Sequence, residues 1–597
     1  MTIDEKITRV REEMENAGMD AYIIPITDPH QGEYMPERYR SISWLTGFTG
    51  SSGSVVITSD FAGLWTDSRY FIQAEQQLKD SPVSLVKLKV PHTPEYIEWI
   101  TETLPGNSSV GVNGKVISVS LVGKIKESFS NVGISLDTEH DIVNMVWRDR
   151  PGMPENKAFE HDVLYAGITR KDKLQVIREQ MQKKKATHHL LTALDDIAWT
   201  FNIRGTDILY NPLVTAYSVI SETIAYLFIN QKKLPGLLKQ KLIDDGLIIK
   251  PYYEIKKFLS GLESKDVIMI SPESTSFSLF NSIPEKVRVI EDISLPTRLK
   301  AIKNDIEIDH IRNVMVKDGV ALTKFFYWLE QNLGKERITE ISASEKLEAF
   351  RREQENFVHP SFGTIAGYGP HGAVVHYEAT PETDVELKQE GLFLLDSGGH
   401  YLDGTTDITR TNALGQPTAG QKRDFTLALK GTINLALIEF PEGTKGYQIE
   451  ILARKALWEN GLNYGHGTGH GVGFFLNVHE GPQTIGTGAS GNAQVPMEPG
   501  MLTADEPGIY REGKYGIRTE NLILCVPSKE TEFGKFLKFE TVTLCFIDTY
   551  LVDKSLLNEK EIKWLKDYHQ KVFEKLSPFL EEDEKKWLEG KCRNLNS

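Results

Sequence analysis

Short apolar runs alternate with helical patterns over the first half of the chain. Residues 21–26 (AYIIPI) and 53–58 (GSVVIT) each predict a strand, since a short continuous apolar run is typical of a strand buried on both faces. Between them, residues 44–50 (WLTGFTG) predict the end of a helix that breaks into glycine turns. This alternation predicts an α/β domain.

The same pattern then recurs. Residues 196–205 (DIAWTFNIRG) resemble residues 41–50 (SISWLTGFTG), and strand-like runs such as residues 225–229 (AYLFI) follow each copy. The match is either a chance one, around a tryptophan and a glycine, or the mark of a duplicated domain. We predict a duplication, with one α/β domain over residues 1–158 and a second over residues 159–302.

The rest of the chain, residues 303–597, predicts a larger third domain. A long amphipathic helix is expected from Lys300 through Met315, because apolar residues recur there at helical spacing. Residues 358–526 are rich in glycine, and seven of the fifteen histidines lie among them. A strand-like run at residues 544–547 precedes a final helix.

The final helix has one apolar face. Its apolar positions follow helical spacing and are Ile562, Leu565, Tyr568, Val572, Phe573 and Leu576. Such a face either packs on its own domain or forms a subunit interface.

Composition limits the classes of function that this protein can have. Hydrophobic residues make up 40% of the chain and charged residues 25%, as in ordinary globular proteins. The net charge of −15 gives no general attraction for nucleic acid or for an anionic membrane, but it can supply carboxylates to a cation. The three cysteines have no CxxC spacing, which excludes a thiolate zinc site. With no signal-peptide pattern at the N-terminus and no long apolar run, we expect a cytoplasmic protein.

Two aspartates mark a pair of predicted strands. Residues 392–396 (LFLLD) form an apolar strand that ends in Asp396, and a second strand carries Asp407 eleven positions later. A bent β-hairpin folds such a segment back and brings the two carboxylates together. Each aspartate alone is equally explained as a turn former.

A glycine-rich segment, residues 465–473 (GHGTGHGVG), carries two histidines. Glycine at every second position disfavours a helix, and the period of two in a strand places His466 and His470 on one face. The absent side chains let a ligand or another backbone approach closely. The alternative is a glycine-rich loop with incidental histidines.

Two glutamates on apolar strands complete the set. Glu506 comes just before a turn, and Glu520 lies inside a strand that is predicted to be largely buried. A buried carboxylate is costly unless it is paired or bound to a metal ion. Arg518, two positions earlier on the same face as Glu520, is the alternative partner for either glutamate.

The order Asp, Asp, His, Glu, Glu, with spacings of 11, 63, 36 and 14 residues, resembles the methionine aminopeptidase/prolidase superfamily. Within it, the whole chain is similar to the large, three-domain, cytosolic Xaa-Pro aminopeptidases. The matching segments include residues 66–71 (TDSRYF), 374–377 (VVHY), 395–398 (LDSG), 404–410 (GTTDITR) and the C-terminal extension around 564–587. The resemblance implies an α/β (α+β) architecture: two creatinase-like N-terminal α/β domains followed by a catalytic domain with the "pita-bread" fold.

The resemblance also implies a dinuclear metal site with five ligands: Asp396, Asp407, His470, Glu506 and Glu520. Asp407 and Glu520 would bridge the ions. Four carboxylates offset the charge of two divalent ions, whereas without the ions they would repel one another in a small pocket. Oxygen ligands with one imidazole favour Mn²⁺, and Zn²⁺ or Co²⁺ can bind the same ligands.

By the same resemblance, the chain is a metal-dependent exopeptidase that hydrolyses the Xaa-Pro bond at the N-terminus of peptides. A hydroxide bridging the two ions would attack the peptide carbonyl, with Glu506 as general base and proton shuttle. His479 would stabilise the tetrahedral intermediate, while His376 and His466 would form the proline-side pocket. Arg518 is assigned to the substrate site, where it would orient a ligand carboxylate. Each histidine alone is equally explained as a hydrogen-bonded core residue.

Two rival functions share this fold. One is a prolidase-like Xaa-Pro dipeptidase with the same metals, and the other is a metal-free, creatinase-like enzyme or a non-catalytic binding protein. The doubled N-terminal domain favours the aminopeptidase by resemblance, and all five ligand types are present. The expected partners are peptides with proline at position two and a second copy of the chain in a homodimer.

One glycine motif resembles a dinucleotide-binding loop but does not predict one. Residues 486–491 (GTGASG) have the glycine spacing of a dinucleotide-binding loop. Such a loop must follow a strand and open a helix, and the prolines that follow disfavour a helix here. We predict a flexible loop without a nucleotide.

Overall fold

A computed structural model describes residues 1–90, 93–488 and 491–593, with the backbone alone for residues 491 and 492. The chain divides into two compact units. The N-terminal unit holds Met1–Val163 and Ile168–Thr297, and the C-terminal unit holds Leu164–Gly167 and the chain from Arg298 onward. In the described part of the chain, every helix is too short or too polar to cross a membrane.

The first half of the N-terminal unit is a six-stranded sheet with helices. The strands are β1 (Ala21–Pro25), β2 (Ser54–Thr58), β3 (Ala62–Thr66), β4 (Ser84–Lys87), β5 (Ser109–Val112) and β6 (Ser135–Asp137). The helices are α1 (Ile3–Asn16), α2 (Ser41–Thr46), α3 (Phe71–Gln77), α4 (Tyr96–Thr103), α5 (Val119–Ser130) and α6 (Ile142–Val146). The strand order is β4-β3-β2-β1-β5-β6, in which β1, β2 and β3 are antiparallel and the other neighbours are parallel. The predicted strands are confirmed as β1 and β2, and the predicted helix end is α2, which stops at Gly47 with φ of 80°.

The second half repeats this topology. Its elements are β7 (Phe159–Glu160), α8 (Arg170–Lys183), β8 (His188–Leu191), α9 (Leu194–Phe201), β9 (Ile203–Arg204), β10 (Ala216–Ser221), β11 (Ala225–Ile229), α10 (Gly236–Asp244), β12 (Leu247–Lys250), α11 (Ile255–Ser260), β13 (Val267–Ile270), α12 (Phe277–Phe280) and β14 (Arg288–Glu291). Helix α7 (Val163–Ala166) comes between β7 and α8 in the chain, and most of it belongs to the C-terminal unit. The sheet order β12-β11-β10-β8-β13-β14 matches the first sheet strand for strand, including the direction of every neighbour. The repeated tryptophan lies on corresponding helices, α2 and α9. The duplication is therefore confirmed.

The helices of the C-terminal unit correct one prediction. They are α14 (Asp305–Asn332), α15 (Glu340–Arg352), α16 (Ala419–Ala436), α17 (Gly446–Ile449), α18 (Ile451–Trp458), α19 (Glu559–Leu576) and α20 (Glu582–Arg593). The single helix expected from Lys300 is wrong, because α13 (Leu295–Ala301) ends before α14 begins. Asn304 forms the boundary: its side chain accepts the Glu307 N–H, and the Glu307 carboxylate accepts the Asn304 N–H. This capping box fixes a helix start.

The strands of the C-terminal unit form a set of small sheets around one larger sheet. They are β15 (Phe357–Pro360), β16 (Ile365–Tyr368), β17 (Leu392–Ser397), β18 (Gly399–Tyr401), β19 (Gly404–Thr405), β20 (Ile408–Ala413), β21 (Glu439–Pro441), β22 (Gly469–Gly471), β23 (Glu480–Ile485), β24 (Leu502–Asp505), β25 (Gly508–Arg511), β26 (Tyr515–Arg518), β27 (Asn521–Thr531) and β28 (Gly534–Thr541). The orders are β15-β18-β19, β16-β17-β20, β21-β28-β27-β24-β22-β23 and β25-β26. One continuous core joins the inner faces of these sheets to α14, α16 and α19.

Two further predictions near the C-terminus are adjusted. The strand expected at residues 544–547 is wrong: these residues are buried, but they form no strand. The apolar face of α19 packs within its own unit, where Leu565, Tyr568 and Leu576 are at most 4% exposed. The apolar face of the helix is therefore explained by the core of its own unit. Of the predicted glycine loop, residues 486–488 follow β23 as an irregular bend, and Ala489 and Ser490 lie outside the described residues.

Candidate metal centre

An antiparallel strand pair brings the two predicted aspartates to one place. Asp396 lies on β17 opposite Thr409 of β20, and Asp407 directly precedes β20. The intervening chain forms β18 and β19, so the hairpin is more elaborate than predicted. Asp396 is 7% exposed and Asp407 is 4% exposed. Both carboxylates therefore lie where an unpaired charge is costly.

His470 lies on β22, which runs between β23 and β24. The glycines around it are required by close backbone packing, since a Cβ on Gly469 would lie 1.8 Å from the Ala504 carbonyl oxygen. The prediction of one extended strand over residues 465–473 is wrong: only Gly469–Gly471 forms a strand, and His466 lies in the bend before it.

The His470 ring points one nitrogen at two carboxylates. Nδ1 donates to the Gly471 carbonyl at 3.0 Å, which leaves the lone pair of a neutral ring on Nε2. Nε2 lies 3.4 Å from an Asp407 oxygen and 3.8 Å from a Glu506 oxygen. A lone pair against two anionic oxygens is unfavourable unless a proton or a cation lies between them. This arrangement is typical of a metal-binding histidine with its second nitrogen fixed by a carbonyl.

The two glutamates are placed by backbone hydrogen bonds. The Glu506 N–H donates to the Thr468 carbonyl at 2.8 Å, and the Glu520 N–H donates to the Thr409 carbonyl at 3.1 Å. The Thr409 hydroxyl also donates to the Glu520 carboxylate at 2.6 Å. Glu520 is buried as predicted, but it lies at the junction of β26 and β27 and not inside a strand.

The electrostatics of this group favour a bound cation. Burial, and then the charges of Asp407 and Asp396, raise the pKa of Glu506 to about 7. The same causes raise the pKa of Glu520 well above its ordinary value. Burial alone would lower the pKa of His470, but Asp407 and Glu506 outweigh it and raise that pKa to about 9. In each case the site binds protons tightly because positive charge is lacking.

The residues present fit a metal ion. Ligand atoms of Asp407, His470 and Glu520 all lie within 4.8 Å of one another. Among the described residues, the Oδ1 atom of Asp396 is buried without a hydrogen-bond partner. Burial raises the pKa of Asp396, although Arg518 opposes the shift. Carboxylate oxygens with one imidazole nitrogen form a donor set for hard or borderline divalent ions.

Arg518 links these carboxylates to a tyrosine that the sequence analysis missed. Its guanidinium forms an ion pair with Asp396 and donates to the Thr409 hydroxyl at 3.0 Å and to the Tyr510 hydroxyl at 2.6 Å. The Tyr510 hydroxyl in turn lies 2.8 Å from Nε2 of His466, whose Nδ1 faces the Gly467 carbonyl at 2.7 Å. A hydrogen-bond chain therefore runs from His466 to Asp396.

Strand pairing provides the signal that would have found Tyr510. In the β25–β26 hairpin, Tyr510 pairs with Gly516 and Gly508 pairs with Arg518. Alternate residues of an antiparallel pair share a face, so Tyr510 and Arg518 project to the same side. A hairpin predicted across the glycine at position 513 would have placed them together.

The remaining two histidines lie in different surroundings. His479 is exposed, and its ring centroid lies 4.3 Å from that of His470 with the rings nearly perpendicular. His376 is half-buried and follows a 3₁₀ turn, Gly369–Ala373, which packs against β26. The structure thus places His479 beside His470, and it links His466 to Asp396 only through Tyr510 and Arg518. It places His376 just after a turn that packs on the strand of Arg518.

Comparisons with known proteins follow the division of the chain. Residues 6–145 and residues 149–307 each match the creatinase/prolidase N-terminal domain. Residues 309–527 match metallopeptidase family M24, and residues 535–595 match the C-terminal region of peptidase M24.

Curated relatives span the whole chain. A probable Xaa-Pro aminopeptidase P of Laccaria bicolor is 39% identical over 99% of this chain and 93% of its own length. One of Paracoccidioides brasiliensis is 40% identical over 100% of both chains. The solved structure of X-prolyl aminopeptidase from Caenorhabditis elegans, described as a cytosolic enzyme with a di-nuclear active site, is 36% identical. It superposes with a TM-score of 0.95 over 99% of this chain and 100% of its own.

Proposed function

Because the chain belongs to the Xaa-Pro aminopeptidase P group of metallopeptidase family M24, we propose that it removes the first residue from peptides whose second residue is proline. It is a metal-dependent aminopeptidase with two creatinase-like domains before a pita-bread catalytic domain. One observation carries the proposal: a buried cluster in which Asp407, His470 and Glu520 offer ligand atoms within 4.8 Å of one another.

We assign five residues to two divalent ions: Asp396, Asp407, His470, Glu506 and Glu520. The relative from Caenorhabditis elegans, with its di-nuclear active site, supports the number of ions. The donor set favours Mn²⁺, with Zn²⁺ or Co²⁺ as alternatives. When bound, the ions supply an activated water molecule and a Lewis acid for the scissile carbonyl.

The side chains around the cluster then act on protons and charge. Glu506 has a partly exposed carboxylate next to His470, so it can take a proton from the attacking water and return it to the leaving proline nitrogen. His479, exposed beside His470, donates a hydrogen bond to the carbonyl oxygen as negative charge develops there.

Proline selectivity is assigned to the other side of the site. A peptide bond before proline is a tertiary amide without an N–H, so a pocket shaped for the pyrrolidine ring can discriminate. His466 and His376 form that pocket, and a hydrogen-bond chain through Tyr510 and Arg518 links His466 to Asp396.

The experiment compares three substrates with the metal-loaded enzyme. We expect cleavage of Xaa-Pro-Xaa tripeptides, little cleavage of Xaa-Ala-Xaa and slower cleavage of Xaa-Pro dipeptides. Comparable kcat/KM for the proline and alanine tripeptides would reject the proline pocket. Faster cleavage of the dipeptide would favour the prolidase-like alternative.

Three further assignments belong to the same proposal: the domain bounds, the cellular location and the oligomeric state. We place the domain bounds at 1–158, 159–302 and 303–597. The cytosolic relative supports a cytoplasmic location. A homodimer formed through the catalytic domains is also proposed, and a monomer mass by light scattering at micromolar concentration would contradict it. Since the apolar face of α19 is buried in its own unit, the interface would use another surface.

A further inference from the structure

A buried arginine next to the metal centre has no role in the proposed reaction. Arg410 lies on β20, three residues after Asp407, and is 3% exposed. Its guanidinium donates to the carbonyls of Phe546 (3.0 Å), Thr409 (2.9 Å), Glu520 (2.6 Å) and Cys545 (3.0 Å), to the Asn521 side chain (2.8 Å) and to the Tyr568 hydroxyl (2.8 Å). All six acceptors are neutral oxygens, so this charge is used to fix positions and not to pair with an acid.

One side of this network fixes a proposed metal ligand. Arg410 binds the backbone carbonyls of both Thr409 and Glu520 through the same nitrogen. Two hydrogen bonds already join Thr409 and Glu520: one from the Thr409 hydroxyl to the Glu520 carboxylate, and one from the Glu520 N–H to the Thr409 carbonyl. A shift of the guanidinium therefore moves the Glu520 backbone and, with it, the carboxylate that faces Asp407 and His470.

The other side fixes the C-terminal segment. Residues 542–548 form no strand, so their buried carbonyls need hydrogen-bond donors other than those of a strand partner. Arg410 donates to the carbonyls of Cys545 and Phe546. Tyr568 of α19 donates its hydroxyl hydrogen to the Cys545 carbonyl at 2.9 Å or the Thr543 carbonyl at 3.1 Å. Its oxygen is thereby left to accept from Arg410.

We propose that Arg410 and Tyr568 are positioning residues through which the C-terminal helix α19 holds Glu520 in metal-binding geometry. The proposal rests on the assignment of Glu520 as a metal ligand. It gives the C-terminal region a function in the metal centre: truncating or loosening α19 weakens ion binding before it unfolds the domain. Hydrogen-bond partners around metal ligands commonly affect metal affinity by about 10–100-fold.

The test is Tyr568→Phe in the full chain, which removes a single oxygen. The matched control is Tyr22→Phe in the N-terminal unit, since Tyr22 is 1% exposed and its hydroxyl donates to the His140 carbonyl at 2.8 Å. Metal-depleted proteins are titrated with Mn²⁺ by calorimetry, and the metal-free melting temperature is measured in parallel. We expect Tyr568→Phe to weaken at least one ion about 10-fold or more, and Tyr22→Phe to leave both affinities unchanged.

A purely structural role would give a different pattern. Equal melting-temperature losses in the two variants, with wild-type Mn²⁺ affinities in both, would overturn the proposal. Arg410→Lys keeps the charge but cannot span the six acceptors, so it should weaken Mn²⁺ binding more than Tyr568→Phe does; a smaller loss would also overturn it. Wild-type protein that bound none of Mn²⁺, Zn²⁺ and Co²⁺ would overturn the proposed function and this proposal together. An unimpaired Tyr568→Phe beside a two-ion wild type would overturn this proposal alone.

Discussion

Two charged sites, one in each unit, differ in how their buried charge is balanced. In the N-terminal unit, Lys233 lies 2.5 Å from Asp207, and both side chains are at most 2% exposed. In the C-terminal unit, His470 faces the carboxylates of Asp407 and Glu506, and Glu520 offers a ligand atom to the same group. Among the described ion pairs, Arg518 pairs with Asp396 alone. A balanced buried pair is tolerated by a fold, while an excess of one sign is costly. The imbalance therefore marks the place where a cation completes the structure.

Two histidines, His30 and His470, make the same contrast. In the N-terminal unit, His30 contacts the Thr192 carbonyl at 2.8 Å and the Tyr252 hydroxyl at 2.9 Å, and burial lowers its pKa to about 4. In the C-terminal unit, Asp407 and Glu506 raise the pKa of His470 to about 9 against the effect of burial. A neutral ring suits a core, and a ring aimed at anions suits a metal site.

The largest expected effect is that of Asp407→Ala. The substitution removes one of the five proposed ligands, so the remaining four should fail to hold two ions and peptide hydrolysis should be lost. Elemental analysis of the purified variant measures the ions, and a tripeptide assay measures the activity. Asp207→Asn is the matched control, because it alters a buried aspartate of the N-terminal unit. Two tightly held ions in Asp407→Ala would refute the ligand assignment.

His479→Ala should have the next largest effect. If His479 donates to the developing oxyanion, kcat falls by about 10²–10³ while both ions are retained and KM changes much less. Steady-state kinetics with parallel metal analysis checks this, with His188→Ala in the N-terminal unit as control. A near-normal kcat in the metallated variant would leave His479 with a structural role only. Loss of metal would place it among the ligands.

Lys233→Met tests the balanced ion pair of the N-terminal unit. It leaves the Asp207 carboxylate buried without its cation, so unfolding should become easier by about 3–5 kcal/mol. Metal content and kcat of the folded protein should not change, since the pair lies in the N-terminal unit. Urea unfolding of the full chain measures the stability. A loss of ions in this variant would mean that the Lys233–Asp207 pair and the proposed metal site are not independent.

The pH dependence of the metal-free protein should show the smallest effect. Glu506, with its pKa raised from 4.5 to about 7, binds its proton more tightly when folded, so its contribution to stability is lost as pH rises through that range. His470, with its pKa raised from 6.5 to about 9, adds a loss over the higher range. We expect the metal-depleted protein to be less stable at pH 9 than at pH 6, and saturating Mn²⁺ to reduce the slope because ions replace the protons. Identical slopes with and without Mn²⁺, from urea unfolding, would contradict this.

The sequence predicted the duplicated sheets because apolar runs such as residues 21–26 and 225–229 carry the strand signal locally. It failed at residues 300–315, where helical spacing continues across a boundary that the Asn304 capping box sets. It also failed at residues 544–547, whose apolar pattern is that of a strand but whose carbonyls are bound by Arg410.

The candidate site shows the same limit. The five proposed ligands were found from their order and resemblance, and the structure brings Asp407, His470 and Glu520 together. Tyr510 and Arg410 were given no role, because their importance lies in hydrogen bonds to residues distant in the chain. Spacing along a sequence shows which side chains are available, and only the pairing of strands shows which of them meet.

Reconstitution of the metal-depleted full-length protein with Mn²⁺ tests the central claim most directly. Bound ions per chain and hydrolysis of an Xaa-Pro-Xaa tripeptide are measured on the same samples during the titration. The account predicts about two ions per chain at saturation, as expected for a two-metal site, and activity that returns as the ions bind. Full activity in the metal-free protein, or no bound ion at the highest Mn²⁺ concentration of the titration, would contradict it.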